Sequence, residues 1–245
     1  MERKPAALVV DLQHGLLQSF ENTDHPSTVY GFRNGSVQVD GPGTLYGFML
    51  KGYATVMAID DVVPGKSRVV KEGEYFSVPF ARAAQVKTAG EGYFAVRHEY
   101  KGLPCIGGPV EDCGRLKYID GCSDTLLIGP PVLGDPCMNL LHFPAGIKQT
   151  LHTHPTIRAG LIFSGRGLCH TEAGPQPLSP GRMFILFPDA VHGFETMDDH
   201  MTLVVYHPDT DTGPSHDDHP MLNRTMVEGE SARHIDAIRT QQIAS

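Results

Sequence analysis

Short runs of β-forming residues, separated by glycine and proline along the whole chain, constrain this sequence more than any other feature. Residues 44–50, 54–59, 75–78, 125–128, 138–143, 160–164, 183–187 and 201–206 are such runs, each bounded by turn residues. With 27 Gly and 19 Pro as punctuation, many short strands at close spacing predict an all-β sandwich or barrel. Helical periodicity is scarce. Residues 9–20 carry a weak helical pattern. Residues 231–243 carry a better one, with Ile235, Ile238 and flanking alanines near helical spacing and Ser231 as N-cap. A short C-terminal helix is expected there, packed on the barrel or on a neighbouring subunit.

The stretch KGLPCIGGPVEDCGRLKYIDGC, residues 101–122, is rich in Gly, Pro and Cys, and strand signals resume at Thr125. It divides the 245 residues into halves of similar size. Residues 207–220 are polar, with several Pro, Gly and Asp, and predict a loop. The net charge of −8, with no run of Lys or Arg, disfavours non-specific binding to nucleic acid or an anionic membrane. No apolar run approaches the roughly 18 residues of a membrane span. The N-terminal apolar stretch is broken by Asp11 and Gln13, which makes a poor signal peptide. Five Cys, an odd count, do not suggest a secreted disulfide framework. A cytoplasmic protein is expected.

The chemistry concentrates in GIKQTLHTHPTIRAGLIFSGRG, residues 146–167. Two histidines one residue apart, His152 and His154, point to the same face if the segment is a strand. Imidazole is the commonest biological ligand for Zn, Fe, Ni and Cu. Alone, the pair is a weak signal, because nearby histidines on a surface strand are more often solvated. A second patterned stretch, GRMFILFPDAVH at 181–192, offers His192 as a third ligand.

Together these stretches resemble the paired motifs of the cupin superfamily. The first motif is Gly, five residues, His-x-His, three or four residues, Glu, then six residues and Gly. Gly146, His152 and His154 fit it, and Gly165 lies where the terminal Gly is expected. The second is Gly, five residues, Pro-x-Gly, two residues, His. Gly181 to His192 has its full length, with Pro188 one place late and Ala190 standing in for the glycine. The match covers about 50 residues, in the family's order. The resemblance implies a double-stranded β-helix, the cupin or jelly-roll barrel, holding one divalent transition metal on His152, His154 and His192.

One departure matters. The family's Glu ligand would fall at 158 or 159, which are Arg158 and Ala159. The centre therefore resembles the three-His sites of thiol, gentisate-type and β-diketone-cleaving dioxygenases, which use Fe(II). Three neutral ligands leave the ion its full charge and open positions for a chelating anion and O₂. Zn, Ni or Mn suit three imidazoles as well. Arg158 shares the parity of His152 and His154, so a regular strand would turn its guanidinium into the cavity to grip a substrate carboxylate. A bulge at Pro155 would instead turn it to solvent or onto an acid of a neighbouring strand.

The first half reads as a degenerate copy. With Gly52 aligned on Gly165, the first two ligand positions fall on Val39 and Gly41. The stretch GEYFSVPFARAA begins at Gly73, keeps Pro79 at the motif spacing, and puts Ala84 at the third ligand position. None of the three can bind a metal. The expected organisation is two tandem barrels: residues 1–118 without ligands, 119–229 with the metal, and 230–245 as a helical tail. A single barrel with a long N-terminal extension is the alternative.

The leading expectation is a non-haem Fe(II) dioxygenase, an oxidoreductase acting on a small anionic molecule and O₂, as a homodimer. A Zn-, Mn- or Ni-dependent isomerase, lyase or hydrolase is the second. A ligand-binding or sensory cupin is the third, weakened because no DNA-binding helix-turn-helix is visible. Other residues carry blander readings. Cys105, Cys113 and Cys122 lack zinc-ribbon spacing and read as buried small residues. Cys169 has a slight chance of approaching the cavity. Gln149 and Thr150 read as structural, and His216-Asp217-Asp218-His219 as a solvated acidic loop. His142 is undecided. No Gly-rich phosphate loop and no placeable Ser-His-Asp arrangement is present.

Overall fold

A computed structural model describes residues 7–59 and 67–241. The first residues of the N-terminal stretch and the end of the predicted C-terminal helix, 242–245, lie outside them. Seventeen strands build the body: β1 Ala7–Asp11, β2 Gly15–Phe20, β3 Ser27–Asp40, β4 Gly43–Ile59, β5 Ser67–Lys71, β6 Tyr75–Phe80, β7 Ala83–His98, β8 Cys105–Gly107, β9 Leu116–Lys117, β10 Ser123–Ile128, β11 Cys137–Phe143, β12 Arg158–Gly165, β13 Gly167–Thr171, β14 Gly174–Leu178, β15 Arg182–Leu186, β16 Gly193–Glu195 and β17 Met201–His207. The all-β, jelly-roll expectation holds, and every predicted β run lies largely within a strand.

The described residues form two seven-stranded sheets, a three-stranded sheet β14-β13-β16 and a two-stranded pair within residues 226–231. One large sheet runs β2-β3-β7-β4-β6-β8, with β5 on β4; the other runs β1-β15-β12-β17-β11-β10-β9. Read from the opposite edge, the second repeats the order of the first: β10, β11, β17, β12, β15, β1 take the places of β2, β3, β7, β4, β6, β8. The repeat extends to single residues. Gly47 pairs with Phe76 in the first sheet as Gly160 pairs with Phe184 in the second. A Cβ on either glycine would run into that phenylalanine ring. Val39 pairs with Ala84, and their counterparts His152 and His192 pair with each other.

Gly52 and Gly165, the residues that align the halves, both take left-handed backbone (φ 74° and 69°) and both face a backbone carbonyl, of Ala89 and His200. A left-handed non-glycine residue costs about 1–2 kcal/mol, and a Cβ on Gly165 would also strike the His200 carbonyl. Gly165→Ala is therefore expected to destabilise by at least about 1–2 kcal/mol, read as a lower denaturation midpoint at unchanged slope.

Three apolar clusters hold the body together. Phe32, Leu45, Met49, Phe76, Val78, Phe94 and their neighbours fill the first sheet's interior. Phe143, Ile162, Cys169, Phe184, Phe194, Leu203 and Val205 fill the second's. A third cluster lies between the sheets and includes Tyr46, Phe48, Tyr93, Leu161, Met183, Val204 and Tyr206. Strand alternation explains the division. On β4, Leu45 and Met49 face inward while Tyr46 and Phe48 face the other sheet. On β17, Leu203 and Val205 face inward while Val204 and Tyr206 face outward. Buried on both faces, such strands read as unbroken apolar runs.

Several expectations change. Residues 9–20 form β1 and β2, not a helix. β1 adds to β15 of the second sheet, although the sequence assigns it to the first half. The C-terminal tail forms two short 3-10 turns, Ala232–His234 and Asp236–Ile238, in place of an α-helix, and Ser231 caps the first through Arg233 N–H. With mostly exposed residues there, no packed face sustains a longer helix. The α-helix of the C-terminal region is instead Pro220–Arg224, capped by the His219 side chain and opened by a proline in its first turn.

Candidate metal centre

His152, His154 and His192 converge at the mouth of the second sheet's interior. Their ring centroids lie 4.4, 5.0 and 5.1 Å apart, and one nitrogen from each falls within 4.8 Å of the others. Among the described residues this is the group of three or more His, Cys, Asp or Glu side chains arranged to hold a metal ion. His192 is buried, and His152 and His154 are half-buried.

The histidine segment is not a strand. Between β11 and β12 the backbone is irregular and is pinned at single points. His152 and His192 exchange backbone hydrogen bonds of 2.9 and 3.0 Å, and Asp189 N–H donates to the His154 carbonyl at 2.8 Å. Asp189 adopts left-handed backbone, φ 59°. Counted from Gly181, position 189 is where the cupin motif has its glycine. The glycine-like conformation thus belongs to Asp189, and Ala190 does not stand in for it.

Two of the rings have their tautomers set by the backbone. Nδ1 of His152 lies 2.8 Å from the Thr150 carbonyl, and Nδ1 of His192 lies 2.9 Å from the Ala190 carbonyl. A carbonyl only accepts, so each Nδ1 carries the proton and each Nε2 keeps a free lone pair. Burial pushes the His154 pKa down to about 3, helped by Arg158 and the other two rings. Burial likewise lowers His192 to about 4, against the Ala190 hydrogen bond and with help from His152 and Arg158. These imidazoles are neutral near pH 7, the form that binds metal. Three converging imidazoles, two of them with Nδ1 held by a backbone carbonyl, fit a divalent transition ion.

A cavity of about 100 Å³ opens beside them. Its apolar wall is Phe143, Phe184, Leu186, Phe194 and Val205, and its polar wall includes Asp124, Asn139, Arg158 and His207. Arg158 begins β12 on the inner face, so the bulge at Pro155 does not turn it to solvent. It is held from behind: Nη1 donates to Thr156 Oγ1 at 2.6 Å and to the Ile157 carbonyl at 2.8 Å, and Thr156 donates to Asp209. Asp209 in turn lies 3.6 Å from His25 of the first sheet's side. Burial lowers the Arg158 pKa, partly offset by Asp209. Ala159, the other candidate position for a carboxylate, packs between the sheets.

His207, Asn139 and Asp124 line the site but carry no motif. β11 and β17 are paired with Cys137 opposite His207, so odd-numbered residues of both strands face the cavity. That register was the missing signal. Burial lowers the His207 pKa well below its usual value, with Arg158 and His154 adding to the effect. Gln149 is buried, lines the cavity and accepts from Phe194 N–H at 3.3 Å.

The other residues take plain roles. His142 stacks on His200 and hydrogen-bonds Thr202, away from the cavity lining. Cys122 is buried, but Cys105 is half-buried and Cys113 exposed, against the expectation for both. Cys169 is buried in the second sheet's core, and burial raises its pKa to about 12. No helix among the described residues is long and apolar enough to cross a membrane.

No family model matches the chain, and no curated protein matches it in sequence. Solved structures do. A cupin 2 conserved barrel domain protein from Leptotrichia buccalis is 12% identical, covering 84% of this chain and 91% of its own, at TM-score 0.52. A salicylate 1,2-dioxygenase from Pseudaminobacter salicylatoxidans is 8% identical, covering 84% of each chain, at TM-score 0.57. An 11S globulin from Wrightia tinctoria, described with an auxin binding site, is 7% identical, covering 83% of this chain and 84% of its own, at TM-score 0.55. At such identities the likeness establishes the cupin fold and leaves function to the site itself.

Proposed function

We propose that this chain is a metal-dependent cupin enzyme built from two tandem barrels, with His152, His154 and His192 holding one divalent transition metal in the second. The observation that carries this reading is the convergence of three imidazoles on a small cavity that Arg158 also lines. Ala84 and Val39, at the equivalent place in the first sheet, are core residues, so that barrel serves packing.

We further propose that the metal is Fe(II) and the reaction a dioxygenation of a small anion. The absence of a carboxylate among the ligands supports this, since three neutral donors leave more positive charge on the ion to attract an anionic chelator. A salicylate 1,2-dioxygenase among the structural neighbours shares the fold and is compatible with the reading. When bound, Fe(II) would supply Lewis acidity and electrons for O₂. The chain's own residues do the rest. Carbonyls of Thr150 and Ala190 hold two rings with Nε2 directed outward from their Nδ1 anchors. Arg158 binds the substrate's negative group, and Phe143, Phe184 and Phe194 keep water from the apolar side.

Metal analysis of anaerobically purified protein, followed by O₂-electrode measurements with small hydroxy-, keto- and mercapto-acids, tests the proposal. About one equivalent of iron and acid-dependent O₂ uptake are expected. Full zinc occupancy in protein that turns over such acids without O₂ uptake would overturn the dioxygenase reading.

A further inference from the structure

The segment that follows β8 reaches the histidines. β9 and β10 form a hairpin, with Lys117 paired to Ser123 and Leu116 to Asp124. A tight turn closes it: Tyr118 N–H donates to the Cys122 carbonyl at 2.9 Å, and Cys122 N–H to the Ile119 carbonyl at 3.0 Å. Asp120 and Gly121 at its tip take left-handed backbone, φ 53° and 82°, which aspartate and glycine tolerate better than most residues. Buried Cys122 joins the second sheet's core cluster and anchors the tip there. The tip meets the metal centre at two points. Tyr118 lines the cavity, and Asp120 Oδ2 accepts from Thr150 N–H at 2.7 Å.

Thr150 is the residue whose carbonyl lies 2.8 Å from His152 Nδ1. It is exposed, as is Asp120. Apart from these two bonds, Thr150 makes no hydrogen bond among the described residues. His192 is anchored differently. Its partner Ala190 is buried and sits in a turn closed by its own N–H on the Phe187 carbonyl at 3.1 Å. One tautomer anchor is therefore built into the core. The other is an exposed peptide held by a carboxylate from another hairpin. A hydrogen bond to a carboxylate is roughly twice as strong as a neutral one, which suits it to hold an otherwise loose segment.

We propose that Asp120 is a positioning residue of the metal centre: by holding Thr150 it fixes the carbonyl that sets the His152 tautomer and aims Nε2 at the ion. This rests on the metal reading of the three histidines. A group that orients a metal-bound histidine directly contributes about 10–100-fold to affinity. Asp120 acts one bond further out, so its expected contribution is smaller, at least about threefold.

Two measurements test this: zinc affinity by competition with a chromogenic chelator, and long-range proton–nitrogen NMR spectra of the imidazoles in metal-free protein. Asp120→Gly removes the carboxylate and leaves the left-handed turn free of strain. It should weaken zinc binding at least about threefold. His152 should then no longer hold one tautomer, whereas His192 should keep its own. Asp120→Asn retains an acceptor oxygen and should restore both wild-type readouts. Glu74→Ala removes a similar bond elsewhere, from Lys71 N–H to a carboxylate oxygen at 2.8 Å, and should change neither. A residue that only stabilised the hairpin would leave the His152 tautomer unaltered. Asp120→Ala repeats the deletion should Asp120→Gly not fold.

A smaller loss of affinity in Asp120→Gly would overturn the proposal, as would an unchanged His152 tautomer. So would Asp120→Asn binding zinc as weakly as Asp120→Gly, or an equal loss in Glu74→Ala. Failure of the wild type to bind zinc would instead sink the metal reading, and the tautomer comparison in metal-free protein would still decide what Asp120 does.

Discussion

Replacing His154 by alanine is expected to lower affinity for a divalent transition metal by at least about 100-fold and to leave the fold in place. Loss of a group that only orients a ligand already costs about 10–100-fold, and His154 is proposed as a ligand itself. Its neighbours explain why the fold should survive. The His154 carbonyl, which pins the Asp189 turn, is unchanged by the substitution. The ring is half-buried, and burial lowers its pKa to about 3, so the free protein loses no ion pair. Metal content after dialysis, with far-ultraviolet circular dichroism on the same sample, measures both halves of the claim. A variant that retains one equivalent as tightly as wild type would show that the three histidines are not the site.

The second large effect is expected far from the histidines. Tyr93→Ala should destabilise the protein by about 3–5 kcal/mol, the usual cost of truncating a buried aromatic side chain. Tyr93 is fully buried between the sheets. Its hydroxyl donates to the Val204 carbonyl at 3.0 Å and lies 3.3 Å from the Ala159 carbonyl, both on strands of the second sheet. Burial holds the Tyr93 pKa far above its usual value, so the hydroxyl stays a donor. For a chain of this length the loss corresponds to a fall in melting temperature of roughly 10 °C. Tyr93→Phe keeps the ring and should cost only about 0.5–1.5 kcal/mol. Denaturation of the two variants side by side separates packing from hydrogen bonding. Equal stability of Tyr93→Ala and wild type would mean that the sheets do not depend on each other.

Much of the architecture was legible before any coordinates. Turn-bounded β runs at 138–143, 183–187 and 201–206 correspond to β11, β15 and β17. The alignment of Gly52 with Gly165 put Val39 and Ala84 at ligand positions, and those two residues do pair as His152 and His192 pair. What the sequence hid was hidden by local ambiguity. Residues 9–20 alternate in a way that short windows cannot separate from a helix, and pairing with β15 and β3 settles them as strands. The tail at 231–243 has helical spacing but, over its described residues, little apolar surface to pack it.

By itself, the sequence determined the β-rich fold class, the three histidines that could hold a metal ion and the missing carboxylate of the cupin motif, because each is written in residue identity and short spacing. Only the tertiary structure decided which face Arg158 takes, that His207 and Asn139 join the cavity, that Asp189 makes the motif's turn, and that β1 completes the distant sheet. Each of these depends on register between strands far apart in the chain. Register is set by the burial of both faces of β4, β7, β12 and β17 at once, a constraint that no single segment contains.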